Sequence, residues 1–115
     1  MKKKPIIFED NFQSAVYQKT RMVLRGRVTT YGQIARAIGK SNASRAVGNA
    51  LNRNPYAPIV PCHRVVRSDG KIGGFVLGAK AKVSILAKEG IKVRDGKIVD
   101  FEQKMFYFYS KQDAR

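Results

Sequence analysis

Apolar residues recur at helical spacing in the first part of the chain. Residues 12–25 form the first such segment, and Gly26, a residue typical of helix ends, follows it directly. One face of the predicted helix is made of Phe12, Val16, Tyr17, Met22 and Val23. The pattern therefore predicts a first amphipathic helix that ends just before Gly26.

The next two apolar segments predict a pair of short helices. Thr30 is followed three residues later by Gln33, which is the capping-box pattern at a helix start. Residues 43–53 repeat the helical spacing, and the candidates to cap that helix are Ser41 and Asn42. With a connection of about four residues, the pair is typical of a helix-turn-helix, whose second helix lies against DNA.

The second half of the chain changes to shorter apolar runs. Residues 64–75 contain a turn signal and predict a small hairpin or an irregular loop, and residues 79–89 predict a helix. Asp95-Gly96 separates two alternating runs within residues 91–101, which predicts a second hairpin. The expected fold is mainly α with small β and loop elements, a winged-helix-like helix-turn-helix DNA-binding domain.

Composition and length fit one globular domain. The chain has 115 residues, of which 43% are hydrophobic, so residues 1–115 are predicted to form a single domain with flexible ends at 1–7 and 110–115. The apolar run near the start ends at once in Glu9 and Asp10, unlike a secretory leader. A cytoplasmic location is expected, at the nucleoid or, in a eukaryote, in the nucleus.

Positive charge dominates the chain. The formal net charge is +15, and no acidic residue lies between Asp10 and Asp69, a span that holds ten lysines and arginines. Solubility alone does not require that every acid be excluded from half of a chain. A polyanion, and nucleic acid in particular, is therefore the expected partner.

The only cysteine and the only histidine, Cys62 and His63, are adjacent in the stretch PIVPCHRVVR. A single cysteine cannot form an internal disulfide, and this pair is too small a set for a zinc site. One interpretation is an inert core cysteine. The other is a nucleophilic Cys62 in extended or loop chain. The neighbouring cations would lower the pKa of its thiol, and the His63 imidazole would need a further group to orient it.

Several blocks together resemble a known family. They are Tyr31 in TTYGQIA, SRAVGNAL at 44–51, Arg53-Asn54-Pro55, PCHRV at 61–65, Gly73-Gly74-Phe75 and Lys88-Glu89-Gly90. Their order and spacing are similar to those of the C-terminal domain of the O⁶-alkylguanine-DNA alkyltransferases, over about residues 8–92. The resemblance implies a DNA repair protein that transfers an alkyl group from guanine O⁶ to its own cysteine once, without a cofactor or metal.

The resemblance also implies a role for individual residues. The implied catalytic set comprises the acceptor Cys62, the base His63, which takes the thiol proton through water, the orienting carboxylate Glu89, the loop support Asn54 and the proton donor Tyr31. Arg45 would enter the base stack while the damaged nucleotide leaves it. The implied DNA-contacting set further includes Thr30, Ala43, Ser44, Ala46 and Gly48, and the implied substrate pocket is lined by Pro61, Val65, Phe75 and Val76.

Two departures and two alternatives accompany this resemblance. Val76 stands where some relatives have a polar residue, and the N-terminal domain that commonly precedes this one is missing from the chain, so its tail FYFYSKQDAR or a partner is expected to cover the exposed face. An alkyltransferase-like protein would bind alkylated DNA without transfer, but such proteins usually replace the acceptor cysteine by tryptophan. A plain helix-turn-helix protein with an inert cysteine would bind DNA without preferring damage.

Overall fold

The computed structural model of the protein describes residues 11–108. Three helices form its N-terminal half: α1 (Phe12–Arg21), α2 (Tyr31–Ala37) and α3 (Ser44–Asn52). They pack on one another in all three pairings. This arrangement is the predicted helix-turn-helix, with α1 lying across α2 and α3.

The C-terminal half contains short strands and two further helices. A 3-10 turn, Cys62–Arg64, leads into β2 (Val65–Val66), which pairs in parallel with β1 (Thr29–Thr30). After α4 (Ala79–Lys88), an antiparallel hairpin and a last short helix follow, namely β3 (Val93–Arg94), β4 (Lys97–Ile98) and α5 (Phe101–Lys104). The mainly α prediction with small β elements is confirmed.

The predicted capping residue is confirmed for α2 and wrong for α3. The Thr30 hydroxyl accepts a hydrogen bond from the Gln33 backbone N–H at 3.0 Å and so caps α2 as predicted. The capping prediction for α3 is wrong, because its N-cap is Ala43, which has no side chain able to cap. The connection between α2 and α3 is also longer than predicted and spans residues 38–43.

The first helix is shorter than the predicted segment. It ends at Arg21, and Met22, which was placed on its apolar face, is 46% exposed. The backbone N–H of Val23 donates to the Thr20 carbonyl, so the chain tightens there and turns through Gly26, whose φ is +84°. This turn directs Val23 and Val28 inward, although the helical pattern does not continue.

Two hydrophobic clusters lie on either side of the parallel β1–β2 pair. The first is built from the three N-terminal helices and the chain around Cys62, and Phe108 packs against it. The second joins Val28 and Val66 to Leu86, Ile91 and Ile98 of the C-terminal half. The β1–β2 pair thus connects the start of α2 to the chain that leaves the Cys-His pair.

The predictions for the two turn-containing segments have clear outcomes. Residues 64–75, for which a small hairpin or an irregular loop was predicted, form the irregular loop, because Val65–Val66 pairs with β1 and not with the chain that follows. The hairpin around Asp95-Gly96 is confirmed, with Arg94 opposite Lys97. Within the described residues no helix is long and apolar enough to cross a membrane. The ends expected at 1–7 and 110–115 lie outside the described part of the chain.

Candidate active site

The Cys-His pair lies on the 3-10 turn, which is the loop alternative of the predicted extended or loop chain. The relative exposures are 4% for Cys62 and 2% for His63, and Cys62 belongs to the first hydrophobic cluster. The backbone N–H of Arg64 donates to the Pro61 carbonyl at 2.9 Å, which closes the turn. The turn brings two adjacent side chains into the interior of the protein, where charge and hydrogen bonding act on them strongly.

Asn54 supports the loop that precedes the turn. Its amide donates to the Val60 carbonyl at 2.8 Å, while its side-chain oxygen accepts from the Tyr56 backbone N–H at 2.9 Å. Because Asn54 is only 3% exposed, both hydrogen bonds are protected from water. Asn54 therefore fixes the chain that ends at Cys62, and the site role that the resemblance implies for it stays a prediction.

His63 and Glu89 are brought together as the resemblance implied. His63 Nε2 lies 3.0 Å from Glu89 Oε2, and Glu89 is the C-cap residue of α4. The same carboxylate accepts two hydrogen bonds from Arg64, at 3.0 Å from Nε and 2.8 Å from Nη2. Arg64 also donates to the Val23 carbonyl at 2.8 Å, so the carboxylate is held by a guanidinium that is itself fixed.

This network determines the chemical state of the imidazole. Burial acts to raise the pKa of Glu89, but the hydrogen bonds from Arg64 and His63 outweigh it, so the pKa lies below its ordinary value. Burial lowers the pKa of His63 despite the opposing effect of Glu89. A neutral His63 that donates from Nε2 to a carboxylate has its lone pair on Nδ1. Nδ1 is buried and has no hydrogen-bond partner among residues 11–108, so it is the atom able to accept a proton.

The thiol differs from the sequence-based prediction. Burial raises the pKa of Cys62, and the hydrogen bond from Asn54 and the charge of Lys82, which act in the opposite direction, do not cancel that effect. The predicted lowering by cationic neighbours is therefore wrong, because Arg64, the nearest cation in sequence, is paired with Glu89. Cys62 rests as a thiol and needs a base to become a nucleophile.

Lys82 is a site residue that sequence reasoning missed. It is fully buried, and its ammonium donates to three backbone carbonyls, those of Val65 at 2.7 Å, Gly74 at 2.9 Å and Ile72. Burial lowers its pKa to about 8. The available signal was its position four residues before Leu86, on the buried face of α4. Lys82 joins β2 and the loop at 72–74 to α4 and places a positive charge near Cys62.

Tyr31 stands at the first position of α2 and faces the same loop. A Cβ on Gly73 would lie 2.7 Å from the Tyr31 hydroxyl, so only glycine, here with φ of +71°, allows the loop to approach the ring so closely. The hydroxyl lies 3.5 Å from the Gly74 carbonyl, a weak hydrogen bond. Burial, with a smaller contribution from Cys62, raises the pKa of Tyr31 to about 12, so the hydroxyl keeps its proton at neutral pH.

The predicted pocket residues separate into a buried part and an exposed part. Pro61 and Val65 are buried on either side of the reactive turn, and Val65 is fully inaccessible. Phe75 is half-buried and packs edge-on to His63, with 6.4 Å between ring centroids. Val76 is 38% exposed. Phe75 and Val76 can therefore meet a ligand, whereas Pro61 and Val65 support the turn from behind.

The residues predicted to contact DNA lie mostly on α3. Arg45 and Ala46 are exposed, and Ala43 and Ser44 are half-buried at the start of the helix. Gly48 instead faces the protein, because a Cβ there would lie 3.8 Å from the Tyr31 ring. Thr30 is 6% exposed and serves as the cap of α2. Arg45 and Ala46 thus form the accessible part of the predicted surface, and the DNA contacts remain predictions.

Together these features define a class of protein: a helix-turn-helix domain that carries a buried Cys-His-Glu site at the end of α4. The family model described as the DNA binding domain of 6-O-methylguanine DNA methyltransferase matches residues 11–91, and the chain belongs to that family. Among curated relatives, a methylated-DNA--protein-cysteine methyltransferase from Methanosarcina acetivorans is 48% identical over 69% of this chain and 51% of its own length. One from Thermococcus gammatolerans is 50% identical over 70% of this chain and 45% of its own length. The chain spans about half the length of the curated relatives it matches.

Solved structures show the same fold. The structure of S. pombe Atl1 in complex with damaged DNA containing O6-carboxymethylguanine superposes with a TM-score of 0.75 at 29% identity, over 87% of this chain and 98% of that one. The structure of Mycobacterium tuberculosis OGT in complex with DNA gives a TM-score of 0.68 at 41% identity, over 70% of this chain and 50% of that one. The winged-helix-like helix-turn-helix prediction is thereby confirmed.

Proposed function

We propose that this protein repairs alkylated DNA directly by moving an alkyl group from guanine O⁶ to Cys62, with permanent loss of its own activity. The observation that carries the proposal is the hydrogen-bonded Glu89-His63 pair next to the buried thiol, with 3.0 Å between Glu89 Oε2 and His63 Nε2. Relatives named methylated-DNA--protein-cysteine methyltransferase support it.

The chemistry follows from the resting state of each group. His63 Nδ1 takes the thiol proton, and Glu89 stabilises the imidazolium that results. The sulfur then forms a bond to the alkyl carbon while the bond from that carbon to guanine O⁶ breaks, and its electron pair remains with the guanine. The guanine gains one proton, which balances the proton lost by the thiol. The product is a thioether on Cys62 and an unmodified guanine.

Tyr31 is suited to assist the leaving guanine. Its hydroxyl stays protonated at neutral pH because its pKa is about 12, and it lies at the loop that holds Phe75 and Val76. A donor placed there stabilises the negative charge that develops on the guanine ring. The target carbon cannot be reached inside a stacked duplex, so the nucleotide must leave the stack, with exposed Arg45 placed on α3 to enter the gap.

The second candidate is recognition of alkylated DNA without transfer. The observation that favours it is the superposition on Atl1 across nearly the whole of that chain. Against it stand the cysteine at position 62 and the base, carboxylate and lysine that surround it. These groups serve proton transfer from a thiol, which a protein that only binds does not need.

The test of the proposal is the intact mass of the protein after reaction with duplex DNA that contains one O⁶-methylguanine. The expected result is a gain of one methyl group per molecule, absent from a Cys62→Ala control that still binds the DNA. Tight binding of the wild-type protein with no gain in mass would instead support the second candidate.

Replacement of Tyr31 by phenylalanine should slow methyl transfer while leaving the stability of the fold nearly unchanged. Among the residues that the structure describes, the hydroxyl makes only the weak 3.5 Å contact to Gly74, so the free energy of unfolding should change by less than about 0.5 kcal/mol. The rate of methyl transfer should fall by about tenfold or more, since a general acid is lost. Single-turnover kinetics and thermal unfolding, each beside the wild-type protein, measure the two effects. An unchanged transfer rate would exclude a role for the Tyr31 hydroxyl.

The pH dependence of transfer should follow His63 rather than free thiolate. The pKa of Cys62 lies above its ordinary value and that of His63 below 6.5, so at pH 7–8 the thiol is neutral and the base is already unprotonated. The single-turnover rate should therefore not rise across that range, and it should fall below pH 6.5 as His63 gains a proton. Lys82, whose pKa is about 8, loses part of its charge toward pH 8, which also acts to slow transfer. A rate that rises about tenfold per pH unit between 7 and 8 would indicate attack by a thiolate formed without a base.

A further inference from the structure

Three cations stand in a row on the sheet at the C-terminal end of the fold. Arg94 is paired with Lys97 across the β3–β4 hairpin, and Lys97 forms an antiparallel bridge with Lys71 on its other side. Directly paired residues of antiparallel strands project from one face with Cβ atoms about 4.5–5.5 Å apart. All three side chains are exposed. We call Arg94, Lys97 and Lys71 the cation row.

Repulsion among the three cations of the row acts against the stability of the sheet that carries them. Like charges directly opposite each other destabilise a sheet, and within residues 11–108 no salt bridge joins any of the three to a carboxylate. Asp95, the acid next to Arg94, occupies the hairpin turn with φ of +51°, a conformation that Asp tolerates and that the Asp-Gly turn requires. Asp69, two residues before Lys71, accepts a hydrogen bond from the Lys71 backbone N–H and feels the charge of Lys71, but its salt bridge is with Arg67. The opposite face of the hairpin does contribute to folding, because Ile98 is buried in the second cluster.

The cation row begins close to the proposed substrate loop. Lys71 is two residues before Gly73, which lies against Tyr31, and the Ile72 N–H donates to the Gly96 carbonyl at 3.0 Å, so loop and hairpin are joined. Two strand spacings carry the row roughly 10 Å outward from Lys71. Arg94 and Lys97 lie beyond residues 11–91, the part of the chain that the family model covers.

We propose that the cation row binds the phosphate backbone of the same DNA duplex, beside the nucleotide that enters the active site. This inference rests on the DNA binding in the proposed function and adds a second contact surface to α3. A row of exposed, unpaired cations suits regularly spaced phosphates and carries no information about sequence. The hairpin therefore adds affinity for the flanking backbone, whatever the bases there.

The first experiment compares two variants that each lose one arginine and one lysine. Arg94→Gln with Lys97→Gln removes two members of the row, and Arg21→Gln with Lys88→Gln removes two exposed cations from the ends of α1 and α4. The logarithm of the binding constant for duplex DNA is measured against the logarithm of salt concentration. Loss of two phosphate contacts should make the slope shallower by about 1.8 for the row variant, with little change for the control. Equal slopes for the two variants would overturn the proposal.

A second variant separates DNA binding from folding. In Lys97→Glu the new carboxylate lies between Arg94 and Lys71, so the melting temperature should rise while the affinity for DNA falls. If Lys97 had only a structural role, the substitution would change the melting temperature and the affinity for DNA in the same direction. An unchanged or higher affinity would overturn the proposal.

Methyl transfer to Cys62 is also measured for the row variants, at saturating DNA and low salt. This measurement distinguishes a failure of the proposed function from a failure of the present inference. The row variants should still gain one methyl group, because the row does not touch the reacting atoms. If the wild-type protein fails to gain a methyl group but the row variant still shows the shallower slope, the proposed transfer is wrong and the row is supported. If transfer occurs and the slope matches the control variant, transfer stands and the row is overturned.

Discussion

Glu89→Gln should slow methyl transfer by about 100-fold or more, because the imidazole would lose both its orientation and the charge that stabilises its protonated form. The carboxylate accepts hydrogen bonds from His63 at 3.0 Å and from Arg64 at 3.0 and 2.8 Å. A glutamine amide has one acceptor oxygen where these donors now share two, so one donor would face an N–H group. Single-turnover transfer with O⁶-methylguanine DNA measures the effect.

The same substitution should lower the free energy of unfolding by about 3 kcal/mol, since it leaves the Arg64 guanidinium without its counter-charge at a buried site. The pKa of Glu89 is lower in the folded protein than in the unfolded chain, so its stabilisation is present above about pH 4.5 and is lost as the pH falls through the folded-state pKa. The variant should lack that part of the acid dependence. Exposed Glu102, changed to Gln, is the control. Equal transfer rates for the variant and the wild-type protein would exclude the Glu89-His63 pair from the mechanism.

Lys82→Met should destabilise the fold by about 3 kcal/mol and also slow transfer. Three charge-assisted hydrogen bonds of about 1.5–3 kcal/mol each would be lost, offset in part because a charge would no longer be buried. The carbonyls of Val65, Ile72 and Gly74 would be left without this donor. Transfer slows because the charge that lowers the pKa of Cys62 disappears and the 72–74 loop loosens.

Chemical denaturation of Lys82→Met beside Lys80→Met, an exposed lysine on the same helix, measures this loss. The pKa of Lys82 falls from 10.5 to about 8 on folding, so between those values the unfolded chain holds the proton that the folded protein has released. Wild-type stability should therefore rise relative to the Met variant as the pH increases from 8 to 10.5. A relative fall would mean that the three carbonyls favour the charged ammonium more than burial disfavours it. If Lys82→Met were no less stable than Lys80→Met, the three hydrogen bonds would have no net effect.

Local chemistry made parts of this fold predictable. Thr30 caps α2 and Asp95-Gly96 forms the hairpin turn because both effects act within a few residues. The pairing of β2 with β1 was not predictable, because two-residue strands leave almost no alternating pattern and their partners are distant in sequence. The family resemblance, rather than periodicity, indicated Glu89 as the partner of His63.

The electrostatics of the site was the least predictable part. Arg64 follows the Cys-His pair, yet its charge is directed at Glu89, 25 residues away, so sequence proximity gave the wrong direction for the thiol pKa. The burial of Lys82 was not predictable from its sequence position. Its ammonium is stabilised by three backbone carbonyls that come together only in the folded chain. Both errors arise from pairing between distant segments, which composition and spacing do not reveal.

The hydrogen-bond network that joins Val23, Arg64 and Glu89 also makes the activation of Cys62 depend on the order in which the ribosome makes the chain. Its members come from three separate parts of the chain, and Glu89 is made last. A chain still leaving the ribosome contains Cys62 well before the carboxylate that completes its base, and a domain acquires its tertiary contacts as a unit. Until then the cysteine is an ordinary thiol, only a few per cent ionised at neutral pH. The proposed transfer to Cys62 therefore becomes possible only after Glu89 has been made and the domain has folded.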